Sequence, residues 1–219
     1  MFQLKVKNLK VKMRIAVIAA DGRLGRQFVD VALRNGHSVR AGVRGGNTLP
    51  PHPQLEVVSC DATDVTELRV LLQNQEVVVS ALGHVKGSAV DVQTVATKTV
   101  LIAMAEQKIR RYVDVTGTGV RFPGDVIPFI DRILNTAVAT IDSNRVKDGH
   151  DHQEILKKST VDWTTIRVLK LQNVAPKPFT LKLHGPTKLY VGREEVAMAM
   201  LEVIDQHSFI KQAPIVSKA

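Results

Sequence analysis

Two glycines three residues apart, Gly22 and Gly25, close the run Arg14-Ile15-Ala16-Val17-Ile18-Ala19-Ala20-Asp21-Gly22-Arg23-Leu24-Gly25. Their chemistry is phosphate binding. A short apolar strand that turns sharply into a helix presents unpaired N–H groups and the positive end of the helix dipole at one point. Gly22 allows a pyrophosphate to approach the backbone, and Gly25 allows the helix to pack close on the strand. The dinucleotide fingerprint reads G-x-G-x-x-G, and its first glycine is here Ala19 or Ala20, depending on register. Residues Ala19, Ala20, Asp21, Gly22, Arg23, Leu24 and Gly25 are therefore candidate cofactor-binding residues. The second candidate is Arg44, at the end of Ser38-Val39-Arg40-Ala41-Gly42-Val43-Arg44. An acid about 20 residues after the glycines would bind a ribose 2′-hydroxyl, whereas an arginine accommodates a 2′-phosphate. No acid lies between Ser38 and Pro53, so NADP, bound as NADPH in preference to NADH, is the expected cofactor.

The elements that must position these residues are legible in the apolar pattern. Leu24, Phe28, Val31 and Ala32 share one helical face, and Gly36 stops that helix. Further strands read at 54–59, 76–81, 111–116 and 161–168, with helices between them. Asp64-x-x-Glu67 is a capping-box-like helix start, and Ser88 is a candidate cap for a helix whose face carries Val92, Val95, Ala96, Thr99, Ile102 and Ala103. A last helix runs from Arg193 to about His207. Apolar strands alternating with helices predict an α/β, doubly wound, mostly parallel sheet with helices on both faces, in a single domain. The expected domain spans residues 13–219, with a small substrate-side cap in its last third. Residues 1–12 are expected to be an N-terminal extension, flexible or begun at an upstream start.

Composition narrows the class. An apolar content of 44% and a charged content of 23% are those of an ordinary globular chain. The apolar runs are too short to span a bilayer, and no secretory signal is recognisable, so a cytoplasmic protein is expected. The lone cysteine, Cys60, reads as a buried structural thiol at a strand end. A net charge of +9 invites a nucleic-acid reading, but Lys5, Lys7, Lys10 and Lys12 crowd the first dozen residues. Arg23, Arg26, Arg40 and Arg44 are expected around the phosphate site, and no nucleic-acid-binding motif accompanies them. His150-x-His152 suggests a metal, but residues two apart do not share a helical face and no further ligand is evident, so no metal is expected.

The strand ends together resemble the atypical short-chain dehydrogenase/reductase group that binds NAD(P)H, and within it the NADH–flavin reductase and biliverdin reductase B type. The carrying segments are 15–25, Val39 to Arg44, Cys60-Asp61-Ala62, Val77 to Gly83, Arg111 to Thr116, His152 to Ser159 and Val161 to Arg167, spread over roughly residues 13 to 205. The resemblance implies a Rossmann-type fold. It implies that residues 19–25 wrap the pyrophosphate, that Arg44 holds the 2′-phosphate and that Asp61 and Ala62 border the adenine. By the same resemblance Ala81, Leu82 and Gly83 line the ribose, Thr116 and Gly117 approach the nicotinamide, and Leu169 and Lys170 close its far side.

Two departures qualify the resemblance. Asp21 stands where the family mostly has Thr, Ser or Asn, and a carboxylate there repels a pyrophosphate unless it turns away or pairs with Arg23 or Arg26. The Tyr-x-x-x-Lys pair of ordinary short-chain dehydrogenases is missing, because neither Tyr112 nor Tyr190 begins such a motif. Alcohol oxidation then lacks an acid–base agent, whereas hydride transfer to a flavin- or quinone-like acceptor needs mainly alignment. Candidate catalytic groups are His152, Lys147 and Lys170, with His150 nearby. The expected partner is a small-molecule acceptor, with no specific nucleic acid, no membrane, and a monomer or homodimer as the assembly. The alternative, similar to nitrogen metabolite repressor-like proteins, is an NADP(H)-binding redox sensor without turnover that acts through a protein partner.

Overall fold

The computed structural model describes residues 11–126, 128–141 and 143–219. Eight strands form one sheet in the order β3-β2-β1-β4-β5-β6-β10-β8. They are β1 (Arg14–Ile18), β2 (Ser38–Val43), β3 (Leu55–Ser59), β4 (Val77–Ser80), β5 (Arg111–Gly117), β6 (Asp162–Val168), β8 (Phe179–Lys182) and β10 (Ile215–Lys218). All neighbours run parallel except β10 and β8, which are antiparallel. The doubly wound, mostly parallel sheet read from the pattern is therefore present. A separate ribbon pairs β7 (Leu171–Gln172) with β9 (Val191–Gly192).

Alternation within the strands explains why both faces are covered. Ile15, Val17, Val77 and Val79 point to one face, where α1 (Arg23–Arg34) and α6 (Arg193–Asp205) supply Phe28, Val31, Val196 and Met200. Ala16, Ile18 and Val78 point to the other, against Leu68, Leu71 and Leu72 of α2 (Val65–Leu72) and Val100, Ala103 and Met104 of α3 (Val92–Glu106). A period of two on strands buried on both sides makes every residue apolar, which is why these strands read as continuous apolar runs. Gly42 is required for this packing, since a Cβ there would stand 2.8 Å from Leu71 Cδ2 and 2.9 Å from the Cys60 Cβ.

Several expectations are corrected. Ser88 does not cap α3: its hydroxyl accepts from the Val85 N–H at 3.1 Å within a turn, and the helix starts at Val92. The buried face of α3 is Val92, Ala96, Thr97, Val100, Ala103 and Met104, and Ile102 is exposed, because the period was phased one step from the true face. The segment 147–152 lies well inside α5 (Ser143–Lys158). Helix α4 (Phe129–Ile141) precedes it. Arg40 does not join the phosphate site. It pairs with Glu56 at 2.7 Å and donates to the carbonyls of Val70 and Gln73 at the end of α2, a usual place for a cation. Of the expected N-terminal extension, residues 1–10 fall outside the described residues, while Val11 and Lys12 are exposed. No helix among the described residues is long and apolar enough to cross a membrane.

Candidate cofactor cleft at the strand ends

The chain order reverses between β1 and β4, which both pair with neighbours that lead away from them. Ligands of such sheets sit at this switch point, outside the carboxyl ends of the strands. The sequence-derived candidates 19–25, Arg44, Asp61, Ala62, Ala81 to Gly83, Thr116, Gly117 and Leu169 all follow or end parallel strands, so the fold gathers them along one edge.

The β1–α1 turn is built by backbone alone. Ala19 has φ +56°, the left-handed conformation that glycine adopts most readily. A Cβ on Gly25 would stand 2.2 Å from the Ala19 carbonyl oxygen and 2.8 Å from Ala20 Cα, so only glycine fits. Leu24 and Ala20 turn their side chains into the core and leave only backbone to the cleft. Helix α1 has no side-chain cap and no acid in its first turn. Two other helices starting at this edge are capped. Asp64 accepts from the N–H groups of Thr66 and Glu67, at 2.7 and 3.2 Å. Asp148 reaches across from α5 to accept from Gln93 and Thr94 of α3, both at 2.9 Å. The first-turn N–H groups of α1 thus have no carboxylate of their own, the state suited to a phosphate.

The contact expected between Asp21 and Arg26 runs through the Asp21 carbonyl, which accepts from Arg26 Nε at 2.7 Å. The rest of the Arg26 guanidinium holds the Thr48 carbonyl, at 2.8 Å, and the Thr48 hydroxyl. Arg26 is thereby a brace between two loops and is not a phosphate ligand. Arg44 keeps a largely exposed guanidinium whose Nη1 lies 3.9 Å from Asp61 Oδ2. Asp61 Oδ1 accepts from the Thr63 N–H at 2.9 Å and the Thr63 hydroxyl at 2.7 Å, and the Asp61 N–H donates to Glu67 Oε2 at 2.6 Å. The Thr63 bonds, and then the Arg44 charge, hold the Asp61 carboxyl below the ordinary aspartate range. Burial, then the charges of Glu67, Asp61 and Asp64, push the Cys60 thiol up to about 12, so it is no thiolate nucleophile near neutral pH.

Beyond β4, α5 approaches β5 closely because residue 149 is glycine. A Cβ there would meet Val120 Cγ2 at 3.0 Å and Thr116 Oγ1 at 3.4 Å. His152 is 1% exposed. Its Nε2 lies 3.2 Å from Asp114 Oδ2, and its Nδ1 lies 3.3 Å from the Asp148 carbonyl. Burial works against charging this imidazole, but the hydrogen bond and charge of Asp114, followed by Asp148, outweigh it and hold the pKa above the ordinary histidine value. Lys147 points outward and pairs with Asp151 at 2.5 Å. Lys170 is exposed, with Nζ 5.5 Å from the centre of the Tyr190 ring. His150 is exposed while His152 is buried, so the two point apart. The three catalytic candidates are not brought to one point. Tyr112 is buried at 2% exposure, and burial pushes its phenol up, which removes it as a proton donor.

Sequence reasoning passed over three features of this edge. Arg167 is fully buried and pairs twice with Asp125, Nη1 to Oδ2 at 2.5 Å and Nη2 to Oδ1 at 2.8 Å. It also holds the carbonyls of Val120, Leu183 and Ala213, binding three separate segments to β6. Lys188 and Glu195 form a second buried pair at 2.5 Å. His84, after β4, sits 3.1 Å from Asp148 Oδ2 and faces an open cleft. Only contacts across distant segments reveal these roles, and no local spacing signals them.

A family model described as NAD(P)H-binding matches residues 19–207. No curated protein matches the sequence. Among solved structures, a short-chain dehydrogenase/reductase from Veillonella parvula in complex with NADP is similar with a TM-score of 0.78 at 20% identity, over 95% of each chain. A candidate NADH-flavin reductase from Streptococcus pneumoniae has a TM-score of 0.77 at 20% identity, over 94% of this chain and all of that one (100%). An oxidoreductase from Lactococcus lactis has a TM-score of 0.78 at 14% identity, over 94% and 91% of the two chains. At these identities the structures speak for the fold, and the family model speaks for the cofactor class. The chain belongs to the NAD(P)H-binding family and has the Rossmann-type fold of the atypical short-chain dehydrogenase/reductases.

Proposed function

We propose that the protein is an NADPH-dependent reductase that passes hydride to a flavin- or quinone-like acceptor. The observation that carries this reading is the open first turn of α1 beside an exposed Arg44. Neighbouring helices at the same edge have their N–H groups occupied by Asp64 and Asp148. An unshielded helix end suits the diphosphate, and a guanidinium fork at the end of β2 suits a 2′-phosphate. Arg44 must exchange its long contact to Asp61 for the phosphate, a small cost at so exposed a position. Asp61 Oδ2, the oxygen not bound to Thr63, is the acceptor offered to the adenine amino group.

Reduced nicotinamide, when bound, supplies a hydride. The chain's own task is to align two flat rings and exclude water. Thr116, Gly117 and Leu169 form the surface against which the nicotinamide lies, with Gly149 keeping α5 close behind Thr116. His152 acts through Asp114 and the Asp148 carbonyl as a positioning residue, and Lys147 and Lys170 remain the solvent-side candidates for contact with the acceptor. The functional unit is residues 13–219, with the β7–β9 ribbon as its substrate-side cap. The decisive assay is NADPH consumption with riboflavin, FMN and small quinones. Steady turnover with one of them is expected, and none across the panel would remove the reading.

One observation favours a second reading. His152 is buried against Asp114, so the one histidine among the catalytic candidates is held away from the acceptor. A redox sensor would bind NADP(H) without turnover and change its affinity for a protein partner. Equal partner affinity with and without cofactor would defeat it, because only differential binding can shift a state.

A further inference from the structure

Helix α5 takes part in two histidine–carboxylate pairs that face very different spaces. His152 Nε2 meets Asp114 Oδ2 at 3.2 Å beside a cavity of about 10 Å³, room for about one water. One turn earlier, Asp148 reaches the other way, and its Oδ2 lies 3.1 Å from His84 Nε2. The Asp148 side chain is 1% exposed and the His84 side chain 11%. His84 lines an open cleft of about 510 Å³, wide enough for a flat ring.

The open pair is held from several sides. Asp148 accepts from the N–H groups of Gln93 and Thr94, both at 2.9 Å. The Gln93 side chain donates to the Leu82 carbonyl at 3.1 Å, which ties the chain just before His84 to the same helix. His84 Nε2 also lies 3.3 Å from the Val90 carbonyl. Nε2 thus faces two acceptors, which places a proton on it. Nδ1 has no hydrogen bond among the described residues and is the nitrogen left to take up and give a proton. A buried carboxylate that fixes an imidazole tautomer and offsets its charge is a device of acid–base chemistry. The pair also stands beside the proposed hydride path. Asp148 precedes Gly149, whose Cβ would lie 3.4 Å from the Thr116 hydroxyl, and Thr116 is proposed to lie against the nicotinamide.

We propose that His84, oriented by Asp148, is the acid of the reaction, and that the acceptor is a quinone. This rests on the reductase reading above and narrows it. Hydride passes with its electron pair from NADPH to the quinone, so that NADPH is oxidised to NADP+ and the quinone is reduced to an oxyanion. The His84 imidazolium gives its Nδ1 proton to that oxygen, which completes the hydroquinone, and the imidazole regains a proton from solvent through the open cleft. Asp148 offsets the imidazolium charge against the cations Arg23 and Lys86 on the same wall. A reduced flavin spreads its negative charge over its ring system and depends less on an acid than a quinone oxyanion does. Val85 and Val90 line the cleft with side chains 62% and 61% exposed, an apolar border that suits a quinone ring.

The test measures NADPH turnover by the full chain with a small quinone and with riboflavin, in wild type, His84→Gln and His84→Ala. Glutamine keeps a donor for Asp148 and the Val90 carbonyl but is no acid, so it separates chemistry from loop shape. In His84→Gln, kcat with the quinone should fall about 100-fold, and about tenfold more than with riboflavin. Added imidazole should restore part of the quinone rate of His84→Ala. A readout without turnover is nitrogen NMR of His84 with NADP+ bound. The neutral ring should carry its proton on Nε2, and the Nδ1 signal should move when the quinone is added. Quinone turnover kept in His84→Gln would overturn the acid. So would equal losses for both acceptors in variants of wild-type unfolding temperature, or an Nδ1 signal that the quinone leaves unmoved. Wild-type turnover of riboflavin but not of quinones would remove this proposal and leave the reductase reading standing. No turnover with any acceptor would remove both.

Discussion

The two halves of the cleft are held in place by opposite means. Around the β1–α1 turn the structure is fixed by atoms that are missing: Gly25 permits a contact that a Cβ would block at 2.2 Å, and α1 begins without a side-chain cap. On the substrate side it is fixed by charged side chains buried among loops. Arg167 joins Asp125 and three carbonyls, Phe122 lies between the cations of Arg167 and Lys157 at 4.7 Å each, and Lys188 meets Glu195. A backbone turn recognises what most nucleotides share. Under the proposed function, the ion-paired loops shape the side of the cleft that faces the acceptor.

Breaking the first half should cost most. Gly25→Ala forces backbone of Ala19 and Ala20 to move and should destabilise by more than about 4 kcal/mol or abolish folding, read by urea unfolding. A loss below about 1 kcal/mol would mean that the turn yields easily. On the other side, Asp125→Ala strands a fully buried guanidinium and should cost about 3 kcal/mol. Replacing both partners by apolar residues should recover much of that loss, and failure to do so would locate the stability in the Arg167 carbonyl contacts instead.

A smaller effect sharpens the contrast. His152 has a raised pKa in the folded chain, so its contribution is complete below the unfolded value near 6.5 and is lost as pH rises through the folded value. Asp114→Asn leaves burial dominant, which lowers the pKa and reverses that trend. The stability difference between the two proteins should therefore change with pH by up to about 1.4 kcal/mol per unit. A pH-independent difference would show that His152 is not charged beside Asp114.

These two kinds of construction also explain what was legible in the sequence. The parallel sheet, both helix layers and the strand-end candidates follow from local apolar periods and from the spacing of Gly22 and Gly25. Arg40 and Arg26 were placed with the phosphate site because charge shows in a sequence and its partner does not. Glu56 and the carbonyls of Val70, Gln73 and Thr48 claim them. Ser88 looked like a helix cap, yet the cap of α3 comes from Asp148, on another helix. Strands β8 and β10 are short and continue the sheet only through pairing with distant residues, so no local pattern marks them. Arg167 reads as one more surface arginine until Asp125 is placed beside it.

The central claim is that the open end of α1 and Arg44 form an NADPH site. Paired equilibrium titrations of NADPH and NADH on the wild-type chain and on Arg44→Ala test it directly. The account predicts tighter binding of NADPH than of NADH in the wild type. In Arg44→Ala it predicts a roughly 10- to 100-fold loss for NADPH alone, the worth of one charge-assisted phosphate contact. Equal affinities for the two cofactors, unmoved by the substitution, would contradict it.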